Sequence, residues 1–431
     1  MFGSNRKQIR HGPALQEAMS SSSTGPDQSC SDVGDVSLVY EDAEWARQCR
    51  RALQDVPRPV KVLSPCAGLN SPERAARELG FPWQTAGDWD VNPALRTTLA
   101  RLSKNPELLY MGPRSGDVLN VDINSLDLST DALVAGPPCP PFSSIGKRLV
   151  ELDWRSAVFV TICSWICHLA IRGQLKFWII ENVAGITTKR KCDDTSFAQW
   201  FVQEMYKDLP CGWEIRTVPH NSKNCLLPQS RPRVFFIGTA PCLRTTRRLQ
   251  RILCQPPLSF PQVDILNFLD DVQSEGDYSS LSVKQQVNLL AQLEEFHRQC
   301  ETVETEQVAI VDVARDPLKS AFDKTFAVGR TRTLRTNCTH LWILPSPRLA
   351  RFGPKGRFLN RAEKARCAGL KPESLTDLND AELCRAVGNT IPVSLIGTIM
   401  FPVLCAWSEY VLSAESSAEQ DTPLASAGAC K

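Results

Sequence analysis

Between Val60 and Gly238, apolar runs of strand length alternate with helix-like segments. Such alternation predicts βα units, in which helices join neighbouring parallel strands and cover both faces of one sheet. The very apolar run Phe177–Ile180 is typical of a strand that is buried on both faces. No apolar run approaches the roughly 20 residues that span a bilayer, so we expect no membrane segment. The chain is therefore expected to be an α/β protein with a mostly parallel sheet.

The alternation stops in the second half of the chain and then resumes, which indicates an inserted module. Residues 1–56 are rich in Ser, Gly, Asp and Gln at their start and are predicted to be a mostly disordered tail. The α/β unit is expected at 57–240 and again at 357–411, and a second disordered tail at 412–431. The irregular, proline-containing segment between the two parts, residues 241–356, is here called the inserted region.

The cysteines do not form a metal or disulfide pattern. There are 17 of them, and no two are spaced as C-x-x-C. With no secretory signal recognised at the start, we expect a reducing compartment and thiols packed as small hydrophobic groups. Cys163, Cys167 and His168 share one predicted helix without further ligands, so packing is expected there and no metal site is predicted.

Four polar motifs stand at the ends of predicted strands, which is where open α/β sheets bind ligands. They are Gly136-Pro137-Pro138-Cys139-Pro140-Pro141-Phe142-Ser143, Glu181-Asn182-Val183, Gln229-Ser230-Arg231-Pro232-Arg233 and Asp88-Trp89-Asp90. Each alone has an ordinary structural explanation: a buried thiol, a helix-capping acid, a solvated basic turn or a core tryptophan. Four such motifs together indicate a site.

Each motif also suits a chemical role. The prolines around Cys139 fix the backbone at the rim of the sheet. Glu181 follows an apolar strand and should be partly desolvated, as a general acid requires. Arg231 and Arg233, at i and i+2 of a strand, should point the same way and could face one oxyanion or base edge. Asp88 stands where nucleotide-type sites bind ribose hydroxyls, beside a tryptophan that could stack on adenine.

In combination, the motifs resemble those of the C5-cytosine methyltransferase family across roughly Val60–Gly238 and Arg357–Met400. The first three resemble its nucleophile, ENV and QxRxR motifs. Arg357-Phe358-Leu359, with Glu363, Arg366 and Gly369, resembles its penultimate motif, and Gly388-Asn389-Thr390 resembles its closing motif.

The resemblance implies a Rossmann-like S-adenosylmethionine-dependent methyltransferase fold with a smaller target-recognition region inserted at 241–356. It also implies a DNA (cytosine-5-)-methyltransferase. Cys139 would add to C6 of a flipped-out cytosine, Glu181 would bind N3, and Arg233 with Arg231 would hold O2. The segment Ser143–Arg148 resembles the mobile catalytic loop, with Gly146 as hinge.

By the same resemblance, ten residues are expected to bind S-adenosylmethionine. They are Ala67, Gly68, Leu69, Asp88, Trp89, Asp117, Val118, Pro138, Asn389 and Thr390. Several positions depart from the family pattern: Ser64 and Cys66 replace an acid and an aromatic, and Asn70 and Ser71 replace glycines. Pro140 stands where Gln follows the nucleophile, and Leu226-Leu227 where an aromatic-Gly step is usual.

The formal net charge of +2 conceals a segregated charge distribution. Residues 231–251 carry six basic residues and no acid, and residues 330–366 carry ten basic residues and one acid. Between them, residues 262–316 carry twelve acids and three Lys or Arg. Basic segments of this kind suit the phosphates of double-stranded DNA, the expected partner.

Two alternatives stay open on the sequence. One is an RNA (tRNA) cytosine-5 methyltransferase, and the other is a catalytically weak, DNA-binding regulatory relative, which the altered first motif would suit. Nuclear localisation is expected from function if the source is eukaryotic, and cytoplasmic otherwise. Protein targeting partners are not identifiable from the sequence.

Overall fold

A computed structural model describes residues 47, 56, 58–125, 129–138, 155–189, 195–271, 278–300, 306–316 and 326–420. Cys139, the predicted loop Ser143–Arg148 and most of both predicted tails lie outside the described residues. The strands are β1 Val60–Pro65, β2 Trp83–Asp90, β3 Leu109–Met111, β4 Ala132–Ala135, β5 Phe177–Val183, β6 Glu214–Asn221, β7 Gln229–Ser230, β8 Pro232–Thr239, β9 Val308–Asp312, β10 Phe326–Val328, β11 Thr331–Arg332, β12 Leu341–Pro345 and β13 Arg357–Phe358. The helices are α1 Ser71–Glu78, α2 Leu95–Leu102, α3 Arg155–Ile171, α4 Phe197–Asp208, α5 Arg247–Leu253, α6 Val283–Cys300, α7 Arg361–Cys367, α8 Asp380–Asn389 and α9 Val393–Gln420.

The central sheet confirms the predicted mostly parallel α/β architecture. Within the described residues it has seven strands in the order β3-β2-β1-β4-β5-β8-β6. The neighbours from β3 to β5 are parallel, whereas β8 runs antiparallel to both β5 and β6. The strand order reverses between β1 and β4, so the connections that leave their carboxyl ends run in opposite directions and leave a crevice between them.

Both faces of this sheet are buried, which explains the continuous apolar strands. Along β5, Ile179 packs into one apolar cluster with α1 and α9, and Ile180 packs into a second cluster with α3 and α4. Phe235 and Phe236 of β8 divide between the clusters in the same way. Successive side chains on a strand point to opposite faces of the sheet. Two neighbouring apolar residues therefore contact the helices on both faces.

The inserted region contains a smaller antiparallel sheet in the order β10-β9-β12-β13, with α6 packed against it over Phe296, Val311 and Trp342. This sheet includes β13, which pairs with β12. The boundary predicted at 356 therefore lies one strand too early. Helix α5 lies at the other end of the inserted region, and its Leu249 and Ile252 pack into the apolar cluster of α9. The region is thus attached to the core at both ends.

The C-terminal helix α9 extends farther than the apolar pattern predicted. It continues to Gln420, so the predicted tail boundary at 412 is wrong for residues 412–420. The stretch Asp380–Ala414 contains an apolar window long enough to cross a membrane by length and composition alone, and it is the one such stretch in the described residues. Its apolar window is wholly buried inside the protein, as in the core helix of a soluble protein, and is weak evidence for a membrane span.

Candidate functional site

The nucleophile motif follows β4 into the crevice at the carboxyl edge of the sheet. The described part of the turn is Gly136–Pro138, and Cys139 is the next residue, outside the described part. A Cβ on Gly136 would lie 3.5 Å from Glu181 Oε2 and 3.5 Å from Ile391 Cδ1. The turn before Cys139 therefore faces both the end of β5 and the closing segment.

Glu181 and Arg233 form a buried ion pair at this edge. Because β5 and β8 are antiparallel neighbours, the end of β5 lies beside the start of β8, where Val183 pairs with Arg233. Arg233 Nε lies 2.5 Å from Glu181 Oε1, and the two side chains are 9% and 11% exposed. Among the described residues, Arg233 is the polar partner of Glu181. The other carboxylate oxygen of Glu181, Oε2, faces the Gly136 turn. A carboxylate and a guanidinium thus stand together beside the turn that leads into the nucleophile motif.

Arg231 does not share that target, so the prediction that both guanidinium groups face one ligand is wrong. Arg231 lies between β7 and β8 and is buried. Its Nη1 donates to the Leu334 carbonyl (2.9 Å) and its Nη2 to the Gly388 carbonyl (2.7 Å). Since Arg231 lies outside the regular strand, the i, i+2 rule does not apply to it. Arg231 therefore binds the protein's own backbone.

The loop after β1 has an unusual backbone. Cys66, Gly68 and Asn70 all have positive φ, at 59°, 56° and 51°. Asn tolerates this left-handed conformation better than most residues, which explains how Asn70 can replace a glycine. The loop is attached to β2, since Asp90 Oδ2 accepts from the Gly68 N–H (2.9 Å) and the Trp89 carbonyl accepts from Ala67 N–H (2.8 Å). The contacts hold the loop over the end of β2.

Asp88 is fully buried at the end of β2. Asn70 Nδ2 bridges two carboxylates, donating to Asp88 Oδ2 (2.7 Å) and to Glu73 Oε2 (2.8 Å). Burial, together with the nearby charge of Glu73, raises the pKa of Asp88 well above its usual value. Burial also raises the pKa of the Cys66 thiol, with Asp90 and Asp117 adding to the effect. This end of the site is therefore acidic and poorly solvated.

Several polar atoms around this loop have space or hydrogen-bonding capacity for a ligand. A Cβ on Gly68 would meet nothing within 4 Å. Asn70 Oδ1, Ser71 Oγ and Thr390 Oγ1 are buried without a hydrogen-bond partner in the described part of the chain. Buried polar groups are normally satisfied, so these atoms mark a place where a polar ligand can bind. The open space next to Gly68 lets an amino acid or nucleoside moiety approach the backbone closely.

Three predicted cofactor contacts are instead core side chains. Leu69, Trp89 and Val118 are each buried in the apolar clusters on the two faces of the sheet. The Trp89 ring stacks on Tyr110 (5.1 Å between centroids) and meets Trp165 edge-on (5.3 Å). In this arrangement Trp89 has no open face for adenine.

The remaining cofactor predictions lie near the crevice. Asp117 accepts from the Leu119 N–H (3.0 Å) and caps a short 3-10 turn, and its charge acts on Cys66. Pro138 is half-buried in the turn before Cys139. Asn389 is the last residue of α8 and Thr390 follows it, and the next residue, Ile391, lies against the Gly136 turn. The two halves of the core therefore meet at the site.

Only part of the predicted basic surface is available for phosphates. Since β8 runs away from the site, residues 240–251 begin at the opposite edge of the sheet, where Thr239 pairs with Phe177 and Glu214. There Arg244 pairs with Glu214 (3.0 Å) and Arg248 with Glu409 (2.7 Å). The prediction that 231–251 forms one phosphate-binding strip is therefore wrong.

The second basic segment is partly neutralised by acids, which pair with four of its ten basic residues. Four of its arginines form ion pairs: Arg351 with Asp271, Arg357 with Glu363, Arg361 with Asp380 and Arg366 with Asp270. Nearer the site, Arg332 and Arg335 line a small open pocket together with Thr333, Asn337 and Asp312. These side chains are the best candidates for contact with a nucleic acid. No group of three potential ligands for a metal ion occurs in the described residues.

Sequence reasoning missed Asn70 and Asp90 as the residues that organise the loop after β1. Asn70 replaces a family glycine and was read as a departure, although its tolerance of positive φ was a usable signal. Asp90 belongs to the motif Asp88-Trp89-Asp90, which by itself indicates no role for it. The position of Gly388 against the inserted region had no sequence signal, because it depends on tertiary packing.

Comparison with known proteins agrees with this geometry. The model of the C-5 cytosine-specific DNA methylase family matches residues 103–402. The type II methyltransferase M.DdeI of Desulfomicrobium norvegicum is 30% identical over 144 residues, which are 33% of this chain and 32% of that protein. The type II methyltransferase M.NgoPII of Neisseria gonorrhoeae is 26% identical over 181 residues, 42% of this chain and 48% of that protein. The chain thus spans about a third to a half of the length of these relatives.

Among solved structures, the S. pombe Dnmt2 methyltransferase superposes with a TM-score of 0.50 at 17% sequence identity. The alignment covers 80% of this chain and 98% of that chain. At this identity the likeness shows the fold, a methyltransferase-type α/β sheet.

Proposed function

Because the chain belongs to the C-5 cytosine-specific DNA methylase family, we propose that it is a DNA (cytosine-5-)-methyltransferase acting on double-stranded DNA. The observation that carries the proposal is the buried Glu181–Arg233 pair facing the turn that leads into Cys139. Acid, cation and nucleophile motif come from β5, β8 and β4, and the fold brings them to one crevice.

The chemistry requires all three groups. Cytosine C5 is a poor nucleophile until a thiolate adds at C6 and breaks the aromaticity of the ring. Cys139 would supply the thiolate, Glu181 would hold N3 as charge builds in the ring, and Arg233 would hold O2. C5 then takes the methyl group, and loss of the C5 proton and departure of the Cys139 thiolate restore the ring. The reacting base cannot be reached inside a stacked duplex, so it must be flipped out.

S-adenosylmethionine is the methyl donor of this family and hence the cofactor of this chain. When bound, it supplies an electrophilic methyl group on a sulfonium. Asn70, Ser71 and Thr390 fit its polar groups, because each has a buried oxygen without a partner in the described residues. The open side of Gly68 fits close approach of the ligand to the backbone. Asp88, buried at the end of β2, would accept from a ribose hydroxyl.

The first test is covalent trapping. Duplex DNA with 5-fluorocytosine and S-adenosylmethionine should give an SDS-stable adduct, because fluorine at C5 cannot leave as the proton does. Cys139→Ser is the matched control and should give none. An equal adduct with Cys139→Ser, or no adduct with the wild type, contradicts the covalent mechanism.

The second test concerns the substrate, since an RNA (tRNA) cytosine-5 methyltransferase is the main alternative. Tritiated methyl transfer should be measured in parallel on duplex DNA, single-stranded DNA and tRNA. We expect label in duplex DNA, because the inserted region adds its own sheet and an arginine-lined pocket beside the site. Label in tRNA alone would make the enzyme an RNA methyltransferase. No transfer, with DNA binding retained, would favour a regulatory relative.

Localisation follows as a proposal from function alone. A eukaryotic DNA methyltransferase acts in the nucleus, whereas a bacterial one acts in the cytoplasm. A fluorescent fusion in the source cell would decide between the two.

A further inference from the structure

Arg231 joins two parts of the protein that are far apart in sequence. Its buried guanidinium donates to Leu334 O of the inserted region and to Gly388 O at the end of α8. The last carbonyls of a helix lack partners within the helix, and a cation at the helix C-terminus is favourable. Arg231 therefore caps α8 while it holds the inserted region.

The backbones that Arg231 joins are in direct contact. A Cβ on Gly388 would lie 2.2 Å from Thr336 N and 2.4 Å from Arg335 C, so only glycine fits there. The segment Leu334–Thr336 thus packs on the last turn of α8, immediately before Asn389 and Thr390. A shift of this segment must move α8 or break the hydrogen bond between Arg231 and the Leu334 carbonyl.

Two further contacts make this strip the junction between the inserted region and the core. Thr333 Oγ1 donates to the Ser230 carbonyl (2.8 Å), and Thr331 N–H donates to the Pro228 carbonyl (2.7 Å). The same segment, Thr331–Asn337, lines the pocket that holds Arg332 and Arg335. One side of the junction therefore faces the proposed nucleic-acid surface, and the other side faces the proposed cofactor segment.

We propose that Arg231 is a positioning residue that couples the two ligands: it links the inserted region to Gly388–Thr390, so that nucleic acid and S-adenosylmethionine bind more tightly together than apart. The inference rests on the proposed function. Coupling between two sites is reciprocal, so each ligand must raise the affinity of the other by the same factor. The physical link is a single guanidinium fork whose two hydrogen bonds require both segments in place.

The test measures binding rather than turnover. Dissociation constants of S-adenosylhomocysteine are determined by calorimetry with and without duplex DNA, and of DNA with and without S-adenosylhomocysteine. The wild type should show coupling of about fivefold or more, within the usual range for two linked sites. In Arg231→Lys the compact ammonium cannot reproduce the fork, so the coupling factor should fall to within about twofold of one. Each ligand alone should bind with little change.

Two variants control for general loss of stability. Arg357→Met removes another buried arginine, one that holds Glu363 and does not touch α8, and should keep the wild-type coupling. Thr333→Val removes the single hydrogen bond from Thr333 to the Ser230 carbonyl and should reduce the coupling partly. This variant keeps the test valid if Arg231→Lys does not fold. Wild-type coupling retained in both Arg231→Lys and Thr333→Val overturns the proposal. So does equal loss in Arg357→Met, or a coupling factor of one in the wild type.

Methyl transfer to DNA by the wild type is measured in the same preparation. Transfer without coupling contradicts this inference alone, whereas absence of transfer to any nucleic acid contradicts the proposed function. The coupling factor is read in either case.

Discussion

One buried Arg–Glu ion pair lies at the carboxyl edge of the central sheet and another lies just after the inserted region, where β13 leads into α7, and the two pairs differ in what surrounds them. Glu363 is saturated: its oxygens accept from Arg357 Nη1 and Nη2, from the Asn360 N–H and from the Asp270 N–H. Glu181 has Arg233 as its described partner, and its other oxygen faces the nucleophile turn. The saturated pair holds structure together, and the unsaturated pair has capacity for a substrate.

The same contrast extends to the neighbouring polar groups. Around the crevice Asn70, Ser71 and Thr390 keep buried oxygens without described partners, whereas the acids near Glu363 are paired, Asp270 with Arg366 and Asp271 with Arg351. Unsatisfied buried groups cost stability and persist where a ligand satisfies them. The unsatisfied oxygens beside the crevice are therefore candidates for contact with a ligand.

The largest expected difference between the two ion pairs is the effect of a Glu→Gln substitution on the rate of methyl transfer. Glu181→Gln should lower kcat/KM for methyl transfer by about 100-fold or more, the usual contribution of general acid–base catalysis. Glu363→Gln should leave the rate per folded molecule within about threefold, because Glu363 does not face the crevice. Tritiated methyl transfer measures both. Equal losses would show that Glu363 also acts on the reaction.

Stability should respond in the opposite order. Glu363→Gln leaves Arg357 buried without its carboxylate, which should cost about 3–5 kcal/mol of unfolding free energy. Glu181→Gln should cost about 1–2 kcal/mol, because it removes one described hydrogen-bonded contact at a partly open crevice. Urea unfolding followed by circular dichroism provides the comparison. A larger loss for Glu181→Gln would mean that its pair is a structural element.

Two glycines test where space is reserved for a ligand and where it is closed by packing. Gly388→Ala pushes a Cβ into the backbone of the inserted region, and such overpacking should destabilise the protein by about 1–3 kcal/mol. Gly68→Ala meets open space and only its positive φ is unfavourable, at about 1–2 kcal/mol. Gly68→Ala should, however, weaken S-adenosylmethionine binding, measured by calorimetry. Unchanged affinity would place the cofactor elsewhere.

The buried acid of the crevice predicts a pH dependence. The folded pKa of Asp88 is raised well above the usual 3.8, so the folded protein binds more protons than the unfolded chain above pH 3.8. Stability is then fully present at low pH and is lost as pH rises toward and through the folded pKa. Relative to Asp88→Asn, the melting temperature of the wild type should fall by at least about 2 °C between pH 5 and pH 8. Parallel pH profiles of the two proteins would contradict the raised pKa.

The smallest effects are expected from single surface arginines. Arg335 lines the pocket beside the site, and Arg335→Gln should reduce the slope of log K for DNA against log salt by about one. Arg248 lies at the opposite edge in an ion pair with Glu409, and Arg248→Gln should leave the slope unchanged and cost less than about 1 kcal/mol of stability. An equal change of slope for both variants would show that Arg248, and with it the first basic segment, also contacts DNA.

Much of the fold was predictable because it depends on local patterns. The strands around Phe177–Ile180 and Val234–Ile237 were recognised from continuous apolar runs, which burial on both faces requires. The paired roles of Glu181 and Arg233 followed from motifs at strand ends, and the sheet places them 2.5 Å apart. The small antiparallel sheet of the inserted region was not predicted, since its short strands lack a clear period.

The sequence by itself determined the family and the parallel sheet, together with the motifs that end at its carboxyl edge, because strand periodicity and motif order are local properties of the chain. Only the tertiary structure decided which groups have partners. It assigned Arg231 to Gly388 and Leu334, moved Arg248 to the far edge of the sheet and buried Trp89 against Tyr110. Those outcomes depend on contacts between residues far apart in sequence, and no local pattern encodes which charge will meet which carbonyl.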